Sequence, residues 1–340
     1  MIKFFRKIRQ KLLVENRFNK YLIYAVGEIV LVVIGILIAL YINNKNEQNK
    51  KDVEANKVLA QIQDDLLNTV ENMQSQRRFY KMKDSIYRII KSDTLSVSDM
   101  MNPENFEIHR FTYDYAPYLV PKEGLNSFVN KVDQFSEKYT SLEPEIKRLY
   151  AEFTFYYDAS QGVIEDVLNR QYAFARSQKW YSNVWSRADL KEEFVDYLLN
   201  DYRYKNEVET YRNFIFGISG VTVRFELKAM LLYQKIHDIT KEPKEIPDLV
   251  KDYFNPLPAS FVEKLVGTYE YQDKNEPKPV KIEFKNNQLF FDGKPAYMNK
   301  DNEILLEDFP VVNVWKYDPN DQSLSFALLS EERTKRFKVQ

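Results

Sequence analysis

One carboxylate carries a sharper physical argument than any other ionisable group in the chain. Glu28 is the only charge in the apolar run 21–42, YLIYAVGEIVLVVIGILIALYI, 22 residues in all. A charged, unpaired carboxyl at the centre of a bilayer costs about 2.5–3.5 kcal/mol, so such a residue implies a contact. Gly35 and Ala39 follow at +7 and +11 and share its helix face. Two small residues four apart let another helix approach closely, and a protonated carboxyl can hydrogen-bond a neighbour. The chemistry is helix association, with Glu28, Gly35 and Ala39 as the transmembrane contact. The competing reading is a carboxylate at the inner headgroups, paired with Lys20 or lipid.

The other candidates read as structure. His109 and His237 stand in no metal-ligand spacing and read as surface or loop histidines. Asp64-Asp65, Glu192-Glu193 and Glu331-Glu332 are adjacent pairs whose side chains diverge, so they read as solvated faces rather than acid/base dyads. GxSxG, P-loop and GxGxxG patterns are all absent, and eight glycines leave little for phosphate-cradling loops. The clusters FTYDY (111–115) and FTFYY (153–157) read as aromatic core or a helix interface. The expectation is a non-enzyme with no catalytic, cofactor-binding or metal-binding residues.

The element that positions Glu28 is a membrane span. Twenty-two residues at 1.5 Å each cross a hydrocarbon core of about 30 Å. A span beginning after Glu28 would hold only 14 residues, about 21 Å, which is too short. A signal peptide is the alternative, but its core is shorter and ends at a small-residue cleavage site, whereas Leu40-Tyr41-Ile42-Asn43-Asn44 has none. Residues 1–20 hold seven Lys and Arg and residues 43–62 hold four, which puts the N-terminus in the cytoplasm of the inner membrane and the rest in the periplasm. Within residues 1–14, Ile2, Phe5, Ile8 and Leu12 fall near one helix side, so Lys3, Arg6, Lys7, Arg9 and Lys11 can meet inner-leaflet headgroups. A purely topogenic flank is the plainer reading.

Beyond residue 42 the chain keeps 42 of its 49 basic and 48 of its 50 acidic residues, a net charge of −6, so nucleic acid is not an expected partner. It has no cysteine, which fits an oxidising compartment without proving one. Residues 43–91 read as one polar helix with a stripe at Val53, Leu59, Ile62, Leu66, Val70, Met73 and Tyr80, either a coiled-coil stalk or the first helix of a bundle. Residues 92–125 read as a loop region, and helices follow at 126–139, 142–179, 188–199 and 202–241, with Ser141 and Asp189 as capping signals. Four prolines in 241–260 forbid a helix running through and imply a stiff linker.

After the linker the pattern alternates. Strands are expected at 267–272, 280–284, 288–292, 303–307, 311–317, 323–329 and 334–339, with turns at Asn286-Asn287, Asp292-Gly293, Asp301-Asn302 and Asp318-Pro319-Asn320. This implies an antiparallel meander closed, or nearly closed, into a small barrel.

The segment FFRKIRQKLLVENRFNKYLIYAVGEIVLVVIGILIALYINNKNE resembles the opening of an uncharacterised family of bacterial single-pass membrane proteins, a domain of unknown function. Gly27-Glu28-Ile29 and the run 33–40 carry the resemblance, whereas Tyr41 and Lys45 depart from it. Separately, LVGTYEYQ and KIEFKNNQLFFD resemble small lipocalin-like β domains appended to secreted bacterial hydrolases, where they are accessory modules.

The expected architecture is membrane-anchored α + β: a cytoplasmic segment (1–20), a transmembrane helix (21–42), a periplasmic helical domain (43–241), a Pro-rich linker (242–260) and an antiparallel β domain (261–340). The expected function is binding or scaffolding of a membrane or periplasmic protein, the partner being another protein or a second copy, with the lipid bilayer as the other contact. The alternative is an extracytoplasmic ligand-sensing module that signals through a partner membrane protein. A reporter fused to the C-terminus should therefore read as extracytoplasmic in whole cells, and a cytoplasmic signal overturns this topology.

Overall fold

The computed structural model describes residues 18–92, 94–186, 189–240, 245–254, 256–271, 279–306, 314–326 and 333–339. Helix α1, Phe18–Lys91, is a single element of 74 residues, roughly 110 Å long. Neither Gly nor Pro occurs between residues 36 and 91, so no residue breaks its hydrogen-bond ladder. Its first part is long and apolar enough to cross a membrane, and that window is 0% buried. Residues 43–51 form a bare polar stretch, exposed throughout. From Ala55 onward the stripe enters a core: Leu59, Ile62, Leu66, Val70, Met73 and Tyr80 are fully buried, whereas Val53 stays exposed. The helix is thus the first member of an intramolecular bundle.

Two further long helices complete the frame, α6 (Glu143–Arg176) and α8 (Tyr202–Thr240), and α8 packs against both α1 and α6. Because it touches helices, the linker and the barrel, α8 is buried over much more than one stripe: Ile215, Ile218, Phe225, Met230 and Leu232 are all inside, and Phe214 and Val221 partly so. Each fully buried aliphatic or aromatic side chain contributes about 1.5–3 kcal/mol relative to exposure.

The shorter elements depart from the sequence reading. Within 92–125 the chain forms α2 (Val97–Met101), a 3₁₀ turn (Pro103–Asn105) and α3 (Phe106–His109). The helix expected at 126–139 is split into α4 (Glu123–Lys131), a 3₁₀ turn (Val132–Gln134) and α5 (Glu137–Thr140). Tertiary contacts explain the break: Phe135 packs on Phe128, Ser136 donates to Asp52, and the Tyr139 hydroxyl donates to Asn56. Ser141 donates back to the Lys138 carbonyl and caps nothing, and α7 (Glu192–Asn200) begins after Asp189, whose carboxylate takes Asn183 and Lys191 instead. The early carboxylates Glu143, Glu145, Glu192 and Glu193 do sit in first turns, where they favour the helix dipole.

The linker also differs. Two of its four prolines begin helices: α9 (Asp248–Phe254) follows Pro247, and α10 (Ala259–Leu265) takes Pro258 as its N-cap residue. Beyond it, eight strands form a closed antiparallel barrel in chain order: β1 Gly267–Tyr271, β2 Val280–Lys285, β3 Gln288–Phe291, β4 Lys294–Met298, β5 Glu303–Leu306, β6 Val314–Asp318, β7 Ser323–Phe326 and β8 Arg333–Val339. Closure comes from β1 pairing β8, with Glu270 opposite Phe337. Strand β4 escaped the sequence reading because Pro295 interrupts it; in the barrel Pro295 faces Phe290 of β3 and lies before the first β5 pair, Ala296 with Leu306, so its missing N–H removes no ladder bond there. The tight hairpins fall where expected: Asn286 and Asn287, and then Asp292 and Gly293, all have positive φ, the conformation a two-residue turn of this hand requires.

Buried side chains pack the described part of the barrel interior. Tyr269, Ile282, Phe291, Met298, Trp315, Tyr317 and Leu324 fill it, and Leu257 and Phe261 from the linker and α10 pack onto this core. Barrel and bundle share a junction: Leu305 and Val314 are buried with the bundle core, Phe216 meets Phe326, and Lys81 pairs with Glu303.

Gly124 in α4 sits hard against α1. A Cβ there would stand 2.8 Å from Asp65 Oδ2 and 3.0 Å from the Ile62 backbone nitrogen, whereas Gly162 in α6 has open space. Gly124→Ala should lower stability by about 1–3 kcal/mol, and Gly162→Ala should raise it by roughly 0.5–1 kcal/mol by favouring the helix. Thermal unfolding of the full chain in detergent checks both, and equal melting temperatures for the two variants would refute the close-approach argument.

Candidate functional site

The buried ionisable groups come first, because they could do chemistry. Glu226 of α8 is 2% exposed and lies in register with Ile218 and Thr222, so helix geometry alone drives it inward. Its Oε1 accepts from Gln74 at 2.7 Å and from the Tyr253 hydroxyl at 2.6 Å, and its Oε2 pairs with Arg77. This group ties α1, α8 and α9 together. Burial, followed by the neighbouring carboxylate, pushes the Tyr253 hydroxyl well above its ordinary range, so it stays a donor.

A second buried centre surrounds Lys83, which is fully buried, pairs with Asp114 and donates to the Arg110 carbonyl at 3.2 Å. Burial pulls its pKa down against the opposing pull of Asp114. Close by, Tyr211 donates to the Asp114 carbonyl at 2.6 Å and Tyr172 to the Tyr113 carbonyl at 3.1 Å. Both centres escaped the sequence reading. The available signal was register: Lys83 stands three residues after Tyr80 on the buried stripe of α1, and Glu226 stands four residues before Met230.

The residues singled out from sequence are dispersed. Glu28, Gly35 and Ala39 lie along the apolar part of α1, and a Cβ at Gly35 would meet nothing within 4 Å. Lys3, Arg6, Lys7, Arg9 and Lys11, as well as Glu331-Glu332, lie outside the described residues. His237 is half-buried near the end of α8. His109 is the clear correction: it is 1% exposed, its Nε2 lies 2.6 Å from the Met100 carbonyl, and its ring meets Phe106 and Phe194 edge-on. The acidic pair Asp64-Asp65 divides, with Asp64 outside and Asp65 buried, where it accepts the Gly124 N–H at 2.9 Å. Of the aromatic clusters, Phe111, Tyr113, Phe153 and Tyr157 are core, but Phe155 and Tyr156 point outward at 70% and 52% exposure. Among the described residues, no group of three His, Asp, Glu or Cys is placed to hold a metal ion.

Among the described residues the surface carries several hollows, one of them a small space of about 210 Å³ where Leu257 and Pro256 meet Leu289, Ala296 and Met298 of the barrel. A groove of about 570 Å³ runs between α4 and α6, with Leu125, Val129, Ala151 and Phe155 in its walls and Lys122 and Lys147 beside them. A cleft of about 530 Å³ opens at the opposite end of the bundle, near Ile90, Met100, Leu198 and Val208.

Burial holds the His109 pKa below its ordinary 6.5. The unfolded chain then binds a proton between 6.5 and the lowered folded value while the folded chain does not, so stability present above pH 6.5 is lost as pH falls through that window. His109→Gln, whose amide can still donate to the Met100 carbonyl, should flatten this loss in thermal melts across that range. An unchanged acid slope would assign the loss to other groups.

The fold and its surfaces can now be set beside known proteins. No curated protein and no solved structure matches the chain. Residues 28–183, from Glu28 through α6 to the turn that follows it, match the model of a family of unknown function, DUF6090, so over that stretch the chain is similar to this family.

Proposed function

We propose that the protein is a single-pass inner-membrane scaffold, with its N-terminus cytoplasmic and with exported domains that bind a protein partner non-catalytically. The observation that carries the reading is the continuity of α1, one helix from the apolar span into the core of the bundle. Whatever grips the bundle grips the membrane segment as well. Two further observations support a binding role over a reaction. The Glu226 and Lys83 centres are engaged in holding the fold, and a cluster of buried apolar side chains packs the described part of the barrel interior. The lipocalin-like resemblance of the barrel then fits an accessory module docked on the bundle. Glu28, Gly35 and Ala39 are the residues assigned to contact with a neighbouring membrane helix, and the basic N-terminal residues to contact with the inner leaflet.

The cleft near Ile90 and Met100 favours the second reading, ligand sensing, because its volume of about 530 Å³ and its mixture of apolar and polar walls (Ile90, Met100, Ser96, Asn200) suit a small molecule.

Purification in mild detergent separates the elements of this proposal. Wild type should retain a discrete, stoichiometric set of envelope proteins, and Glu28→Leu should lose those held through the membrane. An unchanged set with Glu28→Leu removes the membrane seam, and a wild type that purifies without any stoichiometric partner removes the scaffold.

A further inference from the structure

We propose that the groove between α4 and α6 docks a short amphipathic helix of a partner protein, one that carries carboxylates beside its apolar stripe. The inference rests on the scaffold reading and names the chemistry of its partner.

The groove has the shape of a helix receptor. Leu125 and Val129 stand four apart on α4, and Ala151 and Phe155 stand four apart on α6, so each wall is a ridge one turn long. From Lys122 to Val129 and from Lys147 to Phe155 the walls run about 10–12 Å, enough for two turns of a helix anchored at i, i+4 and i+7. Phe155 is 70% exposed and touches Tyr156 edge-on, and Val129 is 39% exposed. Single exposed apolar residues are ordinary; several along one groove mark a contact surface.

Charge selects the occupant. The exported chain is acidic overall, yet the residues lining this groove include Lys122 and Lys147 and no carboxylate. Lys147 pairs with Glu143 at 2.5 Å, but both are solvent-accessible, so that pair exchanges readily for another carboxylate. A second copy related by a two-fold axis would present the same two lysines to this face, which disfavours self-association. Lipid is disfavoured by distance. The groove is tied to α1 at Ile62 through Gly124, twenty residues past Ile42 or about 30 Å along the helix, beyond the headgroups.

The site is also preformed. Asp65 holds the first turn of α4 through the Gly124 N–H, so the walls need no ordering when a ligand arrives.

The test uses the full chain in nanodiscs and three fluorescein-labelled helical peptides of about four turns. All share one leucine stripe, and their polar positions are Glu, Gln or Lys. Anisotropy should rank Glu tightest by about tenfold over Gln, with Lys weakest, and Phe155→Ala should weaken the Glu peptide by about tenfold. The double variant Lys122→Glu, Lys147→Glu should reverse the order in favour of the Lys peptide. Phe155 is exposed, so melting temperatures equal to wild type accompany these readings. Three peptides that bind alike, or a Phe155→Ala chain that binds as wild type does, overturn the proposal; concentration-dependent self-association abolished by Phe155→Ala overturns it in favour of a second copy. If the peptides fail while wild type still retains its envelope partners in mild detergent, the groove assignment falls and the scaffold stands. If the partners are absent too, both fall.

Discussion

The bundle is organised around a stretch of irregular, part-buried backbone whose carbonyls have to find partners outside any ladder. Residues 110–113 form turns, with the Tyr113 N–H on the Arg110 carbonyl, and 114–118 join no helix or sheet, so the carbonyls there have no ladder to join. Four of these carbonyls take side-chain donors from three long helices: Arg110 from Lys83, Ala116 from Gln76, Tyr113 from Tyr172 and Asp114 from Tyr211. A fully buried carbonyl left unmatched costs about 1–3 kcal/mol; these sites are part-buried, so each donor contributes less than that. The side chains of the segment reach outward in turn, Tyr115 to Glu165 at 2.7 Å and Tyr118 towards Thr69 at 3.4 Å. Burial, reinforced by the carboxylate, pushes the Tyr115 hydroxyl up to about 12, so it remains a donor at any physiological pH.

This constraint gives two tyrosines their place, Tyr172 and Tyr211, whose hydroxyls donate to its carbonyls. A Phe core would supply the same rings without donors, and a core of Ser or Asn would supply donors without apolar area. Tyrosine supplies both in one side chain: the Tyr211 ring packs edge-on against Phe111 while its hydroxyl donates to the Asp114 carbonyl. The second polar centre applies the same economy at the domain junction, where Glu226 gathers donors from α1 and α9 and so fixes the linker against the bundle.

The large elements were legible because they are written in periodicity. The apolar run, the stripe of α1, α8 and the turn residues of the barrel each follow from local pattern, and closure of the meander was one of the two geometries that pattern allowed. What was not legible depends on contacts distant in sequence. His109 and Asp65 look like surface residues until the chains that cover them are in place. The break after α4 has no Gly or Pro to announce it and exists because Phe135, Ser136 and Tyr139 each find a partner elsewhere. Pro295 concealed β4 for the opposite reason: a strong local signal was neutralised by its place at the strand's start, before pairing with β5 begins. In the linker, prolines read as breakers act as initiators, because the first turn of a helix does not use the N–H that proline lacks.

The bare stretch 43–51 has a consequence that concerns angle rather than support. Because α1 does not break there, the face of the apolar span and the face of the bundle are locked in phase, about 100° of rotation for every residue between them. One added residue would turn the bundle and barrel by that amount and raise them only about 1.5 Å, whereas seven would restore their heading to within roughly 20° and raise them about 10 Å. The neck is therefore a dial as well as a spacer: its length in residues sets which way the bundle and barrel look relative to the apolar span.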